Sequence, residues 1–223
     1  MVAAIFAAVA ATAVLAALLL GPGRYDPSPP SLQGQPRAEI PGEVLYVDGD
    51  GCIVRAAASG ATRTPVLCGG PYPSSVSWVN ADTIGYANYG GPGIAWTEID
   101  LRTGRQTTSD RLPQRGPPDP VSVRGERAEV DDQGSVYVLA GGERRKVFNF
   151  DGSSRLRPSF LTWSPDGDWL LLQYRDQLWI VRRDGSVAGT LAKTGGNPYE
   201  SSWRIEGAGF LPKLMLGDTR TKP

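Results

Sequence analysis

The stretch Leu161-Thr162-Trp163-Ser164-Pro165-Asp166-Gly167-Asp168-Trp169-Leu170-Leu171-Leu172-Gln173, followed by Leu178 to Arg182 and then Asp184-Gly185, decides the fold. Pro165 presets the backbone of a four-residue turn, and Gly167 accepts the positive φ that closes it. The short apolar runs on either side then read as strands, so the whole predicts strand, tight turn, strand, short break, strand and glycine turn.

Working outward, the same order recurs in more diverged form. One copy starts at Ile40 and runs through Pro41-Gly42-Glu43, Val44 to Val47, Cys52 to Ala56 and Ser59-Gly60. A second starts at Trp78, with strands over Thr83 to Ala87 and Ile94 to Leu101 before Thr103-Gly104. A third starts at Val130, with strands over Ser135 to Ala140 and Lys146 to Phe150 before Asp151-Gly152. Trp203 to Gly207 opens a fifth start, followed by Phe210 and Leu211. Starts spaced in this way read as blades of a propeller. The expected fold is all-β, with four to five blade-like antiparallel sheets forming a small or incomplete β-propeller. A β-sandwich with coincident turns is the competing reading.

The run Trp163-Ser164-Pro165-Asp166-Gly167, with the apolar strand and Asp184-Gly185 that follow, resembles the repeat of TolB-like β-propellers. The resemblance covers about residues 40 to 211 and is close only in the fourth copy. It implies that Trp163, Ser164, Pro165, Asp166 and Gly167 are structural, marking a turn between strands. It also implies a role as an interaction platform or a non-catalytic domain. Rings of that family usually hold six or seven blades, so four and a fragment would leave strand edges to be covered by closure, by a second copy or by another protein.

Upstream, Met1 to Leu20 contain no charged residue. Twenty helical residues would match the hydrocarbon core of a bilayer, and Gly21-Pro22-Gly23 would end the helix at its surface. The stretch lacks a basic start, and Leu18-Leu19-Leu20 stand where small cleavage-site residues belong, so an uncleaved single-pass anchor is favoured over a signal peptide. The expected organisation is an anchor helix over 1–21, a proline-rich linker over 22–38 unable to bury apolar surface, a repeat domain over 39–216 and a tail over 217–223. Orientation is expected to place the domain on the periplasmic or extracellular side of the inner, cytoplasmic membrane.

Composition removes several functions. With 23 basic and 23 acidic residues, no net field draws nucleic acid. With no histidine, the chain cannot form a Ser-His-Asp triad, a histidine-held metal or a histidine-held haem. No catalytic residue, cofactor or metal site is expected. The expected partners are the membrane and other protein subunits, a homo-oligomer being one form of assembly. A small-molecule or glycan-binding sensor, hydrolytic or not, using the central propeller pocket is the alternative function.

Four candidate sites remain. Cys52 and Cys68 flank Gly60 symmetrically, and pairing about that glycine sets Val54 against Val66, Ala56 against Thr64 and the two cysteines opposite each other as a disulfide. Asp48-Gly49-Asp50-Gly51, Asp131 with Asp132, and Asp166 with Asp168 offer oxygen ligands, yet Ser59 stands where a calcium loop starting at Asp48 needs its glutamate, so turn formation is the expected role. Arg102, Arg105, Arg111 and Arg115 lie in a long, proline-containing connection that reads as a partner-binding loop or a solvated one. Tyr86, Tyr89 and Trp96 read as an aromatic docking patch or as packing between blades.

Overall fold

A computed structural model of the chain describes residues 31–69, 73–88, 93–115, 119–150, 157–194, 201–211 and 214–215. These form strands and loops, with no helix among the described residues. The expected anchor over 1–21, the start of the linker, Tyr89 and the tail over 217–223 lie outside them.

The fourth copy folds as its sequence predicts. Strands β12 (Ser159–Trp163), β13 (Trp169–Tyr174), β14 (Gln177–Arg182) and β15 (Ala188–Lys193) make an antiparallel sheet in chain order, here called sheet 4. In its first turn the Gly167 N–H donates to the Ser164 carbonyl at 2.9 Å, and Gly167 sits at φ +76°. The Ser164 hydroxyl accepts the Trp169 N–H at 2.9 Å, locking the entry to β13. The same four-residue hydrogen bond closes at Gly51 onto Asp48 and at Gly134 onto Asp131.

Sheet 2 has the same plan, with β4 (Pro73–Trp78), β5 (Thr83–Asn88), β6 (Ala95–Asp100) and β7 (Gln106–Ser109) in order. Sheet 1 is built from both ends of the domain. To β1 (Glu43–Val47), β2 (Ile53–Ala57) and β3 (Arg63–Leu67) it adds β16 (Ser201–Ile205), which pairs with β1 in the register Glu43↔Arg204 to Tyr46↔Ser201. The fifth start is therefore the missing first strand of the first sheet, extended outward by β17 (Gly209–Leu211). Trp203 fixes this return: it is fully buried, and its indole N–H donates to the Pro41 carbonyl at 3.0 Å.

Three apolar clusters set the spatial order. One joins sheets 1 and 2 through Leu45, Ile53, Trp78 and Ile84. Another joins sheets 1 and 4 through Val44, Tyr46, Leu171, Ile180 and Trp203. The third joins sheet 4 to sheet 3, which consists of β9 (Arg127–Val130), β10 (Ser135–Ala140) and β11 (Glu143–Asn149). The order is thus 2–1–4–3, and among the described residues no apolar cluster joins sheet 2 to sheet 3. A two-stranded pair, β8 (Gln114–Arg115) with β18 (Leu214–Met215), stands apart from these four.

Sheet 3 departs from the repeat. Its third strand begins at Glu143, directly after the Gly141-Gly142 turn, rather than at Lys146, and no fourth strand follows among the described residues. Its first position is taken by the short stretch before β9: Val121 pairs antiparallel with Arg127, and the Gly125 N–H donates to the Ser122 carbonyl at 2.9 Å with Gly125 at φ +76°, the same closure as Ser164 to Gly167. β9 thus corresponds to β13 of sheet 4, and the contacts between the two sheets show the consequence. Arg124 and Glu126, which precede β9, meet Asp168 and Arg183 at the end of sheet 4 where β12 finishes. Phe150, beyond β11, meets Tyr174 at the opposite end, with ring centroids 4.7 Å apart. β9 therefore runs against β12, whereas β16 and β12 run alike, with Gly49 of the β1–β2 turn beside the Thr194 carbonyl beyond β15.

Two further expectations are corrected. The linker does bury apolar surface: Leu32 is 1% exposed, lies in the cluster between sheets 1 and 4, and donates its N–H to the Thr190 carbonyl at 2.9 Å. A leucine among prolines escapes a composition argument, because one side chain suffices to dock a strap. The register around Gly60 also differs. Ile53 pairs with Leu67 as expected, but a bulge shifts the ladder by one, so Val54 faces Pro65 and Ala56 faces Arg63. Pro65, which donates no N–H, is tolerated because β3 is an edge strand. The cysteines lie beyond the bulge on the unshifted side, and the Cys52–Cys68 disulfide forms with Cα atoms 4.4 Å apart.

Candidate functional site

The return of β16 places two turns side by side at one end of the contact between sheets 1 and 2. After Trp78 the chain turns through Val79 to Asp82, where the Val79 N–H donates to the Thr83 carbonyl and the Asn80 side-chain oxygen accepts the Asp82 N–H, both at 2.9 Å. After Ile205 it turns through Glu206 to Ala208, whose N–H donates back to the Ile205 carbonyl at 3.1 Å. Between them lies a cavity of about 550 Å³, lined by Asn80, Asp82, Ile205, Glu206 and Phe210 among others. Phe210 also packs on the core between these sheets, so the cavity has an apolar floor continuous with the interior.

Arg204 forms one wall, and its guanidinium is already committed. It stacks on the Trp78 ring at 4.0 Å, donates to the Ala81 carbonyl and pairs with the Glu43 carboxylate. Glu43 is shared with Arg55 at 3.3 Å. Asp82 and Glu206 are exposed, and among the described residues neither makes an ion pair. The cleft thus combines an apolar floor, two open carboxylates and one cation held elsewhere. Reading the two turns as separate copies hides it, because the cleft exists only once the C-terminal strand heads the first sheet.

A second polar cluster stands on sheet 1. The Arg63 Nε–H donates to the Tyr46 hydroxyl at 3.1 Å, and its terminal nitrogen pairs with the buried Asp48. Burial pushes the Tyr46 phenol above its ordinary range, with Arg63 opposing the shift. Asp48 also accepts the N–H groups of Asp50 and Cys52 at 3.0 and 2.9 Å, which pins the turn beside the disulfide.

The remaining acidic turns bind their own backbone. Asp131 accepts the N–H groups of Gln133 and Ser135 at 2.9 Å, and the Ser135 bond leads the causes that hold its carboxyl below the usual range. Asp166 accepts the Asp168 N–H at 3.1 Å, and Asp168 is clamped at 2.9 Å by both Arg124 and Arg183.

The four arginines expected in one loop are divided: Arg102 and Arg105 are exposed in the β6–β7 turn within sheet 2, Arg111 is exposed in the connection that follows β7, and Arg115 lies in β8, whose backbone pairs with β18 in the register Leu214↔Arg115. Leu112, Val121 and Val123 in the same connection are exposed by 43, 44 and 69%. Among the described residues four large hydrophobic side chains stand exposed, and of these only Ile94 lies elsewhere.

Tyr86 and Trp96 are buried and offer no docking face. Tyr86 packs between sheets 1 and 2, while Trp96 lies across Gly85 on the other face of sheet 2 and donates its indole N–H to Glu98 at 3.2 Å. The tryptophan fits because Gly85 has no side chain: a Cβ there would lie 2.1 Å from the Trp96 ring.

No family model and no curated protein matches the chain. Among solved structures it is similar to TolB from Acinetobacter baumannii, at 15% identity over 78% of this chain and 53% of that one, with a TM-score of 0.31. It is also similar to a structure titled as the putative TolB from Agrobacterium tumefaciens, at 18% identity over 75 and 61% of the two chains, TM-score 0.27. A chain of a nidogen/laminin complex matches at 18% identity over 74 and 71%, TM-score 0.30. The chain spans about half the length of the Acinetobacter TolB. The fold described above rests on strand order and register, not on these matches.

Proposed function

We propose that the chain is a non-enzymatic scaffold, an accessory subunit that a membrane anchor over 1–21 holds against a larger protein complex on the extracytoplasmic side. The observation that carries this is the connection between sheets 2 and 3. Among the described residues, three of the four exposed large hydrophobic residues, Leu112, Val121 and Val123, fall in this connection with the exposed Arg111. Apolar side chains left in water beside arginine have the composition of an interface core. The Cys52–Cys68 disulfide supports an oxidising compartment, and the absence of histidine supports a role without acid–base chemistry at neutral pH.

Gentle extraction of the full chain from its native membrane tests the reading. The chain is expected to migrate with other proteins, and Val123→Asp with Leu112→Asp to release it while leaving the melting temperature unchanged. A wild-type chain that migrates alone as a monomer contradicts the proposal. A second reading, a small-molecule sensor, is favoured by the cleft, which opens between two sheets at their turns and not at the centre of a ring.

A further inference from the structure

We infer that the cleft between sheets 1 and 2 binds a cationic group, a primary ammonium or a guanidinium, carried on an apolar stem. The inference is independent of the scaffold reading. A volume of about 550 Å³ falls in the range of small-ligand sites and far exceeds what a single ion requires. Ile205 and Phe210 supply the apolar contact, and Phe210 is backed by the core, so the floor is preformed.

The charge selects the ligand. Asp82 and Glu206 line the cleft without ion-pair partners among the described residues, whereas Arg204 is turned into its contacts with Glu43, the Ala81 carbonyl and the Trp78 ring. A cation on an aliphatic stem would lay its carbons on Phe210 while its charge meets the carboxylates, as long cationic side chains do on protein surfaces. An anion would meet two carboxylates and a guanidinium that is already satisfied. A neutral apolar ligand would leave the carboxylates to water and gain only the floor.

The cleft is also walled by two distant stretches of the chain, since Asn80 and Asp82 come from sheet 2 and Arg204, Ile205, Glu206 and Phe210 from the returning C-terminal hairpin. A bound cation therefore bridges sheet 2 to the C-terminal hairpin, and occupancy should raise the melting temperature by mass action.

The test titrates the full chain, solubilised in detergent, with four probes while amide shifts at Asn80, Gly207 and Gly209 are followed. These are Nα-acetyl-lysine methylamide, n-butylammonium, the uncharged Nα-acetyl-norleucine methylamide and Nα-acetyl-glutamate methylamide. Both cations are expected to bind at least tenfold more tightly than the norleucine and glutamate probes, and added salt should weaken them. The paired variant Asp82→Asn with Glu206→Gln, both at exposed positions, should lose at least tenfold in affinity for the cations while keeping the wild-type melting temperature without ligand. Tighter binding of the lysine probe than of butylammonium supports the assignment and identifies a peptide side chain as the natural source; equal binding supports it and identifies a free amine. Equal affinity for the norleucine and lysine probes, an unchanged affinity in the paired variant, or no shift with any probe overturns the proposal.

Discussion

Sheets 4 and 3 lie side by side and were built by similar strand and turn patterns, yet one is buried on both faces and the other on one. In sheet 4, Trp169 and Leu171 face sheet 1 while Leu170, Leu172 and Tyr174 face sheet 3, so the strand reads as an unbroken apolar run from Trp169 to Leu172. In sheet 3, Val136 and Val138 pack inward, and the alternate positions carry Tyr137 with Arg144 stacked 3.4 Å above its ring and Glu129 paired with Arg144 at 3.3 Å. Sheet 2, at the other end, covers its outer face with Trp96 lying over Gly85. The difference teaches that the faces a sheet shares with its neighbours, more than the turn motif, decide what a strand may contain.

The sharpest way to break this contrast is to compare two tryptophans. Trp203→Ala removes a side chain set between two sheets together with its bond to Pro41, and should cost about 3–5 kcal/mol in denaturant unfolding. Trp96→Ala, on an end face, should cost clearly less; equal losses would mean that the ends are as tightly held as the middle. Reduction of Cys52–Cys68, which ties the edge strand β3 to its neighbour, should lower stability by about 3 kcal/mol as judged by denaturation with and without reductant.

Gly85→Ala should cost about 1–3 kcal/mol, because the new methyl displaces Trp96. The loss should shrink when Trp96 is replaced by leucine, and a double-mutant cycle showing no coupling would remove the tryptophan from its assigned role. Arg144→Ala, which strips the exposed cover from Tyr137, should change stability by about 1 kcal/mol or less.

Much of the fold was legible because its signals are local. The Ser164 to Gly167 turn, the strands around it and the pairing of Cys52 with Cys68 follow from turn chemistry and alternation. What was not legible depends on distant parts of the chain. Nothing near Trp203 says that it will pair with Val44 rather than open a fifth sheet. The turn at Asp131 to Gly134 reads as the first of the third copy, whereas the first is Ser122 to Gly125, preceded by Val121 in a bridge to Arg127, so β9 is a second strand and runs against β12. The bulge that sets Val54 against Pro65 is a one-residue slip that symmetry about Gly60 conceals.

The candidate site was less legible for the same reason. Its residues come from two repeat turns that become neighbours only through β16. Tyr86 and Trp96, which the sequence leaves open between a docking patch and packing between blades, are used in covering the two faces of sheet 2. Leu32 shows the converse: a single apolar residue in a proline-rich stretch anchors the strap across sheets 1 and 4.

Everything positioned here, the order 2–1–4–3, the two finished ends and the cleft, follows from the return of the C-terminal strand to the first sheet. Nuclear Overhauser contacts between backbone protons of the full chain test it directly. Contacts linking Glu43 to Tyr46 with Ser201 to Arg204, within one molecule and in the antiparallel register of Glu43 with Arg204, are predicted. Their absence, or their appearance only between differently labelled molecules, would contradict the account.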